Sequence, residues 1–274
     1  MSSFSILLPA YNEEAGIAVV LDTIHASGFD AEVIVVDDGS TDRTAEIAQS
    51  KRIKVLSHAI TLGAGKSVKD GIHAATTDRI VMMDSDATYP VEAILLLLAE
   101  LDAGYNLVVG ARQGKEYRGK ILKRIARRVF RFLAEFATGK RIPDINSGMR
   151  AFRKSEITPY FDVLCDGFSL PTTMTLAYFF TGKKVRYVPI SYAKRLGKSK
   201  VKIIRDSLRT LQFMTESIAH FNPLKLFLLF ALLSVLFGVI SMYWMSVLGL
   251  LLGVLMGMMI LALGIVAESV RGRR

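Results

Sequence analysis

Two aspartates, Asp84 and Asp86, stand one residue apart directly after the apolar run 80–83. Carboxylates two positions apart on an extended strand point the same way, so both can reach one ion. No histidine or cysteine lies nearby in the sequence, and hard carboxylate oxygens suit Mg²⁺ or Mn²⁺. Magnesium usually completes its shell with waters and substrate phosphates, so two carboxylates are enough. An isolated Asp-x-Asp sequence more often lies on the protein surface without binding a ligand. In this chain the pair directly follows an apolar run, and that position favours a metal site.

A second acidic cluster, the segment 37–42 with the sequence DDGSTD, follows the apolar run 33–36. Its glycine permits a tight turn, and its serine or threonine can cap the next helix. Capping uses neither Asp37 nor Asp38. Acidic side chains after the second strand of nucleotide-binding sheets commonly accept hydrogen bonds from ribose hydroxyls. The segment therefore indicates a nucleotide site.

Two other nucleotide-binding classes are excluded by their spacing. The segment 63–67, GAGKS, lacks the G-x-x-x-x-G-K-S/T pattern of a P-loop. The first apolar run leads into PAYNE at 9–13 rather than into G-x-G-x-x-G, which argues against a Rossmann dehydrogenase.

Strand and helix patterns alternate through the first 111 residues, which predicts a mainly parallel sheet covered on both faces. Ligands of such sheets bind beyond the carboxyl ends of the strands. Polar clusters at 11–13, 37–40 and 84–86 follow the first, second and fourth strands, so we expect them to converge on one edge. The predicted strands are 5–8, 32–36, 53–56, 79–83 and 106–109, and the predicted helices are 13–26, 41–49, 64–75 and 91–101.

The net charge of +10 is the sum of two opposite halves. Residues 1–111 contain 7 Lys/Arg and 16 Asp/Glu, which gives a net charge of −9. Residues 112–274 contain 28 Lys/Arg and 9 Asp/Glu, which gives a net charge of +19. A helix predicted over 120–138 is amphipathic and basic, which fits either an anionic membrane surface or a core helix with a solvated face. Its apolar face comprises Leu122, Ile125, Val129, Phe132 and Phe136, and its basic residues are Lys120, Lys123, Arg124, Arg127, Arg128 and Arg131.

A second amphipathic stretch, 204–221, leads into 42 residues without a charge, 226–267. About 20 helical residues cross a bilayer core, so the run predicts two spans, 226–242 and 247–267, with a turn near 241–246. The adjacency favours an interfacial role for the amphipathic stretch. A buried hairpin of a soluble protein is the weaker alternative. Lys225 before the first span and arginines after the second predict that both ends are cytosolic. We expect neither a signal peptide nor, with Cys165 as the single cysteine, an internal disulfide.

Six motifs occur here in the order seen in family 2 glycosyltransferases, and over about residues 4–205 the chain most resembles dolichyl- or undecaprenyl-phosphate sugar synthases. The two-span tail is similar to that of bacterial polyprenyl-phosphate glucosyltransferases. The resemblance implies a GT-A fold, which is Rossmann-like, a nucleotide-diphosphate sugar donor, a lipid phosphate acceptor and Mg²⁺ or Mn²⁺ as cofactor. The motifs are PAYNEE at 9–14, DDGSTD at 37–42, GAGK at 63–66, DSD at 84–86, DINSGMR at 144–150 and RLGKSK at 195–200.

The resemblance also implies roles for individual residues. The nucleotide-sugar would be held by Pro9, Tyr11, Glu13, Val36, Asp38, Asp84, Ser85 and Lys200, and Asp84 and Asp86 would meet its metal ion. Arg195, with Ser199 and Lys200, would close over the diphosphate. The acceptor phosphate would meet Arg112, placed after the fifth strand, together with Arg118, Lys123 and Arg124. The residues predicted to take part in catalysis are Asp86, Asp144 and Arg195.

Three departures from the family pattern matter. Thr88 stands where relatives often have glutamine, which puts a third protein metal ligand in doubt. No acidic residue lies between Gly167 and Lys183, where many relatives have one, and the Q-x-x-R-W of polymerising relatives is absent. A missing base matters less for a phosphate acceptor, whose second pKa is near 6, than for a hydroxyl. If a base is required, Asp144 is the first candidate.

Together these inferences predict a membrane-anchored, metal-dependent inverting hexosyltransferase with a cytosolic catalytic domain and a UDP- or GDP-sugar donor. We expect a GT-A domain over 1–200, a juxtamembrane helix over 201–222 and a transmembrane hairpin over 223–270. The expected partners are the donor, a polyprenyl phosphate and the membrane, with no nucleic acid, and a homo-oligomer is a further expectation. The alternatives are a glycosyltransferase with a hydroxyl acceptor and a non-catalytic regulator that binds nucleotide-sugar.

Overall fold

The computed structural model describes residues 3–118, 121–197, 203–245 and 247–271. Its strands are β1 Phe4–Ala10, β2 Ala31–Asp37, β3 Lys54–Ser57, β4 Arg79–Met82, β5 Leu107–Gln113, β6 Arg150–Arg153 and β7 Val185–Ser191. Its helices are α1 Glu14–Ala26, α2 Thr44–Ser50, α3 Ala64–Ala74, α4 Ala93–Asp102, α5 Lys115–Arg118, α6 Ile121–Thr138, α7 Lys154–Ile157, α8 Leu170–Phe180, α9 Ile203–Phe221, α10 Pro223–Met245 and α11 Val247–Arg271, with a 3₁₀ turn at Thr158–Tyr160. The chain divides into two compact units, Met1–Phe213 and Met214–Arg274.

The strands form one sheet in the order β3-β2-β1-β4-β6-β5-β7. β1 pairs in parallel with β2 and β4, β2 with β3, and β5 with β7. β6 runs antiparallel to both of its neighbours. The predicted fold class, a mainly parallel α/β sheet followed by two long apolar helices, is confirmed.

Alternate residues of the central strands face two different helical layers. Leu8 of β1 and Val35 of β2 belong to the core cluster that also contains the buried faces of α1 and α4. Leu7 and Val36 face the other way, and a Cβ at Gly71 of α3 would lie 2.1 Å from Leu7 Cδ1 and 3.0 Å from Val36 Cγ2. Gly71 therefore lets α3 approach the sheet closely, which buries β1 and β2 on both faces.

The part of the sheet formed by β6, β5 and β7 differs from the sequence expectation. The prediction that Arg112 follows the fifth strand is wrong. Arg112 lies within β5, because β7 pairs with β5 from Leu107 to Gln113 and so extends that strand beyond residue 109. Neither β6 nor β7 was predicted. β6 is only four residues long with arginine at both ends, and β7 contains Arg186 and Pro189. Such strands lack the apolar runs that identified the others.

Helix α6 exposes three residues of its predicted apolar face. Ile125, Val129 and Phe132 are 51%, 46% and 59% exposed, while Phe130 and Ala134 are buried. The interpretation of α6 as a core helix with only a solvated basic face is therefore wrong. In α9, Ile204 and Leu208 are likewise 73% and 63% exposed.

The second unit contains two apolar helical segments, Pro223–Ser241 and Val247–Val270, that are long enough to cross a membrane. α10 continues to Met245, so the connection to α11 is shorter than predicted. The two helices pack closely, since a Cβ at Gly253 would lie 2.6 Å from Gly238 Cα, and Ser234 Oγ donates to Gly253 O at 3.1 Å. Most of their large side chains are exposed in this structure, as expected of surfaces that lipid covers.

Candidate active site

The turn after β4 is fixed against the first strand and the first helix. Ser85 Oγ donates to Pro9 O at 2.8 Å. A Cβ at Gly16 of α1 would lie 2.8 Å from Ser85 O, so only a glycine allows this close approach. Ala87 has a left-handed backbone, with φ of 60°, that reverses the chain directly after Asp86. The sheet register and these contacts bring Asp84 and Asp86 to the carboxyl edge beside Pro9.

Asp86 is buried and held on two sides. Its Oδ1 accepts hydrogen bonds from Thr88 Oγ1 at 2.6 Å and from Thr88 N at 3.2 Å. Its Oδ2 lies 3.1 Å from Arg195 Nη1, and Arg195 Nη2 is paired with Glu13. The predicted residues Glu13, Asp86 and Arg195 are thus brought together, with the guanidinium between the two carboxylates.

Asp84 is partly accessible but crowded by protein atoms. A Cβ at Gly148 would lie 2.4 Å from Asp84 Oδ1, so the backbone before β6 forms the wall of this position. The pKa of Asp84 is raised to about 7. Burial is the larger cause, and the negative charge of the neighbouring Asp86 carboxylate is the second. Near neutral pH the two carboxylates therefore repel each other in a poorly solvated place.

The residues present fit a divalent cation. A cation beside Asp84 and Asp86 would offset both the desolvation and the repulsion that raise the pKa of Asp84. The guanidinium of Arg195 against Asp86 shows that this place favours positive charge. No group of three His, Cys, Asp or Glu side chains suited to a metal occurs within the part of the chain that is described. Waters and donor phosphate oxygens would have to complete the shell.

The predicted nucleoside residues have different surroundings. Asp38 Oδ1 accepts from Leu62 N at 2.8 Å and lies 2.9 Å from His58 Nδ1, and Asp38 Oδ2 accepts from Gly63 N at 2.9 Å. This carboxylate shapes the loop 58–63, a role that sequence reasoning missed. Tyr11, which directly follows β1 at the carboxyl edge of the sheet, is 37% exposed. The Val36 side chain, in contrast, is fully buried.

Asn12 joins the first two polar clusters. Its left-handed backbone, with φ of 54°, turns the side chain toward the DDGSTD segment. Asn12 Oδ1 accepts from Thr41 N at 2.7 Å, and Asn12 N donates to Ser40 Oγ at 2.8 Å. The convergence of the clusters after β1 and β2 is therefore a set of direct hydrogen bonds.

Arg112 and Asp144 form a buried bidentate pair. Arg112 Nε and Nη2 donate to the two Asp144 oxygens at 2.7 Å and 2.9 Å. The guanidinium also lies 5.0 Å from the Tyr117 ring and 5.3 Å from the Tyr192 ring. Burial raises the pKa of Asp144, but the hydrogen bonds and charge of Arg112 outweigh it, so the pKa of this carboxyl lies below its usual value. Asp144 is thus a weak base in this arrangement.

A pocket of about 170 Å³ lies beside this pair. The segment 143–146 and Tyr117 line it, and the guanidinium of Arg127 lies 4.5 Å from the centre of the Tyr117 ring. Its four arginines all belong to the basic residues of the predicted helix 120–138, and Arg124 is the one named individually for the acceptor phosphate. The other three lie three, four and seven residues further along, a helical spacing that brings them to the same pocket. The arginines are Arg124, Arg127, Arg128 and Arg131.

One loop borders both the acidic turn and the arginine pocket. Gly148 packs on Asp84, while Asp144 and Asn146 line the pocket. Arg150, fully buried, holds this loop by donating to Ser147 O at 2.8 Å and to Ile145 O at 2.9 Å. Sequence reasoning gave Arg150 no role. Lys200 and Ser199 lie outside the described residues, as do the side chains of Arg118 and Lys123.

Comparison with known proteins identifies the family. The family model for Glycosyl transferase family 2 matches residues 5–158, more than half of the chain. The chain belongs to glycosyltransferase family 2. Dolichyl-phosphate hexose transferase of Haloferax volcanii is 32% identical over 201 residues, which cover 72% of this chain and 86% of that protein. The predicted family membership of this glycosyltransferase is confirmed.

Two further relatives of this glycosyltransferase are longer than the matched region. Glycosyltransferase AglJ of Haloferax volcanii is 33% identical over 198 residues, 69% of this chain, and the chain spans 63% of AglJ, less than two thirds. Undecaprenyl-phosphate 4-deoxy-4-formamido-L-arabinose transferase of Enterobacter sp. is 26% identical over 245 residues, 85% of this chain and 72% of that protein.

Among solved structures, glucosyl-3-phosphoglycerate synthase of Mycobacterium tuberculosis with Mn²⁺, UDP-glucose and phosphoglyceric acid has a similar fold. The TM-score is 0.65 at 23% identity, with 78% of this chain and 79% of that chain covered. At this identity, the likeness is one of fold.

Proposed function

We propose that this glycosyltransferase moves a hexose from a UDP- or GDP-sugar to a polyprenyl phosphate, with inversion and with Mg²⁺ or Mn²⁺. The observation that carries the proposal is the single loop 143–148, which borders an acidic turn on one side and an arginine pocket on the other. A metal–diphosphate group fits the acidic side, and a phosphate fits the arginine side. Relatives named for dolichyl- and undecaprenyl-phosphate transfer support this acceptor class.

On the donor side, Asp84 and Asp86 would hold the metal ion, which would neutralise charge that develops on the leaving diphosphate. Arg195 would exchange its contact with Asp86 for one with the diphosphate, and Lys200 would join it. The nucleoside part of the donor would be bound by Pro9, Tyr11, Glu13, Asp38 and the backbone near Val36 and Ser85. A protein of similar fold has been crystallised with Mn²⁺ and UDP-glucose, which supports the proposed pairing of metal and donor.

On the acceptor side, the arginines of α6 would bind the lipid phosphate, and we propose Arg118 and Lys123 as further ligands of it. Arginine suits phosphate because its planar fork can donate two hydrogen bonds. Arg112 would contribute to the acceptor side through its pair with Asp144, which lines the pocket and keeps both charges in place. Asp144 then acts by orienting Arg112, which agrees with the direction of its pKa.

The chemistry requires no proton transfer from the acceptor. A phosphate monoester is already largely anionic at pH 7, since its second pKa is near 6. One of its oxygens would form a bond to the anomeric carbon while the bond from that carbon to the diphosphate oxygen breaks. The electron pair leaves with the nucleoside diphosphate, and the single displacement inverts the anomeric centre. The chain's task is to hold two anionic groups close together.

The membrane arrangement is also part of the proposal. We propose a catalytic domain over 1–200, an interfacial helix over 201–222 and a membrane hairpin over 223–270, with the catalytic domain in the cytosol. The exposed apolar faces of α6 and α9 support an interfacial position. Proteolysis of the catalytic domain in inside-out but not right-side-out vesicles would support this orientation, and the reverse pattern would refute it. A homo-oligomer is proposed as well, and the mass of the detergent-solubilised protein by light scattering tests it.

A donor screen tests the function. Purified full-length protein, Mn²⁺ and a short polyprenyl phosphate are combined with individual UDP- and GDP-hexoses, and the lipid product is measured. We expect transfer from at least one donor, inhibition by EDTA, restoration by Mn²⁺ or Mg²⁺, and no transfer to the matching polyprenol. Equal transfer to the polyprenol would instead support a hydroxyl acceptor. Donor binding without turnover would support a regulator.

A further inference from the structure

Thr88 lies directly behind the Asp86 carboxylate. Its side chain is 1% exposed, and its hydroxyl donates to Asp86 Oδ1 at 2.6 Å. The Thr88 backbone N–H points at the same oxygen, at 3.2 Å. Two donors from one residue therefore occupy Oδ1 and fix the plane of the carboxylate.

The backbone around Thr88 is arranged to keep this contact. Ala87 adopts the left-handed region, with φ of 60°, which is unfavourable for a non-glycine residue and persists only when its surroundings impose it. The surroundings include the segment that carries Arg195. Leu196 N donates to Asp86 O at 3.1 Å and Ala193 N donates to Thr88 O at 2.9 Å.

With Oδ1 occupied, Oδ2 is the oxygen that Asp86 presents to a cation, as its 3.1 Å contact with Arg195 illustrates. We propose that Thr88 is a positioning residue that fixes Asp86 so that Oδ2 meets the metal ion. The Thr88 hydroxyl has one proton and donates it to Asp86 Oδ1, so Thr88 acts through the carboxylate. This inference rests on the metal dependence proposed above.

The competing explanation is that Thr88 only fills space in the turn. Its side chain also contacts the hydroxyl of Tyr192, whose ring packs on Tyr89 at 5.4 Å between centroids. A packing role depends on the shape of residue 88, whereas a positioning role depends on its hydroxyl. Two substitutions separate these properties. Thr88→Val keeps the shape and removes the hydroxyl, and Thr88→Ser keeps the hydroxyl and removes a methyl group.

The test measures the affinity of the full-length protein for Mn²⁺ alone, from the electron paramagnetic resonance signal of free Mn²⁺. Loss of a group that orients a metal ligand typically weakens metal binding about 10–100-fold. We expect that loss for Thr88→Val and a change of less than about threefold for Thr88→Ser, because the orienting hydroxyl is kept. The Mn²⁺ concentration for half-maximal transfer should rise by the same factor in Thr88→Val. Melting temperatures show that each variant is folded, and Thr88→Ala replaces the valine variant if that protein does not fold.

Wild-type affinity in the hydroxyl-free variant would overturn the proposal, as would an equal loss in Thr88→Ser, which would indicate packing. A wild-type protein that binds no Mn²⁺ and transfers sugar in EDTA would instead overturn the metal dependence itself. The two failures are therefore distinguishable.

Discussion

The acidic and the basic sides of the site are built in different ways. Glu13, Asp38 and Asp86 are at most 9% exposed, and each is held by bonds from neighbouring loops. On the basic side, Arg124, Arg128 and Arg131 lie on the exposed face of a single helix. The acidic side is thus fixed before a ligand arrives, whereas the arginine side can adapt.

This difference matches the two proposed ligands. A metal–diphosphate group is compact and its charge develops at one place, so fixed groups stabilise it best. A lipid phosphate enters from a membrane on a flexible chain, and several long side chains around a pocket can meet it in more than one position. We expect a substitution on the acidic side to affect the rate, and one on the arginine side to affect mainly acceptor affinity.

The largest effect should follow from Asp86→Asn. It keeps the size of the side chain but removes a charge that the metal ion requires. We expect kcat/KM to fall by more than about 100-fold, since a ligand should matter more than the outer-shell groups that cost 10–100-fold. The melting temperature should change little. The control is Asp102→Asn, in an exposed pair with Arg79. Near wild-type transfer by Asp86→Asn, with metal still required, would refute the assignment.

An intermediate effect is expected from Arg124→Gln or Arg128→Gln in the pocket. Hydrogen bonds to charged groups contribute about 1.5–3 kcal/mol, so KM for the polyprenyl phosphate should rise about tenfold or more. KM for the donor should change less than twofold. Arg141→Gln, on an exposed residue outside the pocket, is the matched control. A larger change in donor KM than in acceptor KM would reverse the assignment of the two sides.

The acidic side was the easier of the two to predict from sequence. Its aspartates follow apolar runs, and parallel strands must bring such ends to one edge. The pair of Arg112 and Asp144 joins residues 32 positions apart. Arg112 lies on β5 beyond its predicted end, and Asp144 lies in the loop before β6, a strand without a sequence signal, so their contact could not be predicted. The same holds for Arg150, whose partners are two backbone carbonyls of the loop and the distant hydroxyl of Thr175, and no sequence pattern indicates these contacts. For α6 the sequence left two roles open, a helix on a membrane surface or a core helix with a solvated basic face, and the exposure of Ile125, Val129 and Phe132 follows from packing that the sequence pattern does not specify.

A smaller, salt-dependent effect is expected at the membrane. A chain that lacks 223–274 should still bind anionic vesicles through α6 and α9, at about 1 kcal/mol per Lys/Arg near the surface. Raising the salt concentration should release it, because exposed charges are screened. Cosedimentation with anionic and neutral vesicles measures this. Binding that salt does not weaken would show that the arginine side has no electrostatic contact with the surface.

The smallest effect concerns a carboxylate at the opposite, amino edge of the sheet, where we expect a contribution to stability and none to transfer. Glu32 Oε2 accepts from Thr76 N and Ser5 Oγ, both at 2.8 Å, and Glu32 Oε1 accepts from Lys54 Nζ at 3.1 Å. Burial raises the pKa of Glu32, but these hydrogen bonds outweigh it and lower the pKa from 4.5 to about 2. A lowered folded-state pKa stabilises the fold fully above the unfolded value, and the contribution is lost as pH falls from about 5 to about 2.

Glu32→Gln should therefore reduce the free energy of unfolding by about 1–2 kcal/mol at pH 7, after allowance for solvent screening of its partly exposed partner Lys54. Its difference from wild type should shrink as the pH approaches 2, where the wild-type carboxyl is protonated in the unfolded state and about half protonated in the folded state. Urea unfolding between pH 7 and pH 2.5 measures this, and kcat/KM at pH 7 should stay within twofold of wild type. Glu46→Gln, in a fully exposed pair with Arg43, should show no detectable change in stability at either pH. A loss of transfer in a stable Glu32→Gln protein would mean that catalytic carboxylates are not confined to the carboxyl edge, and the contrast between the two edges would fail.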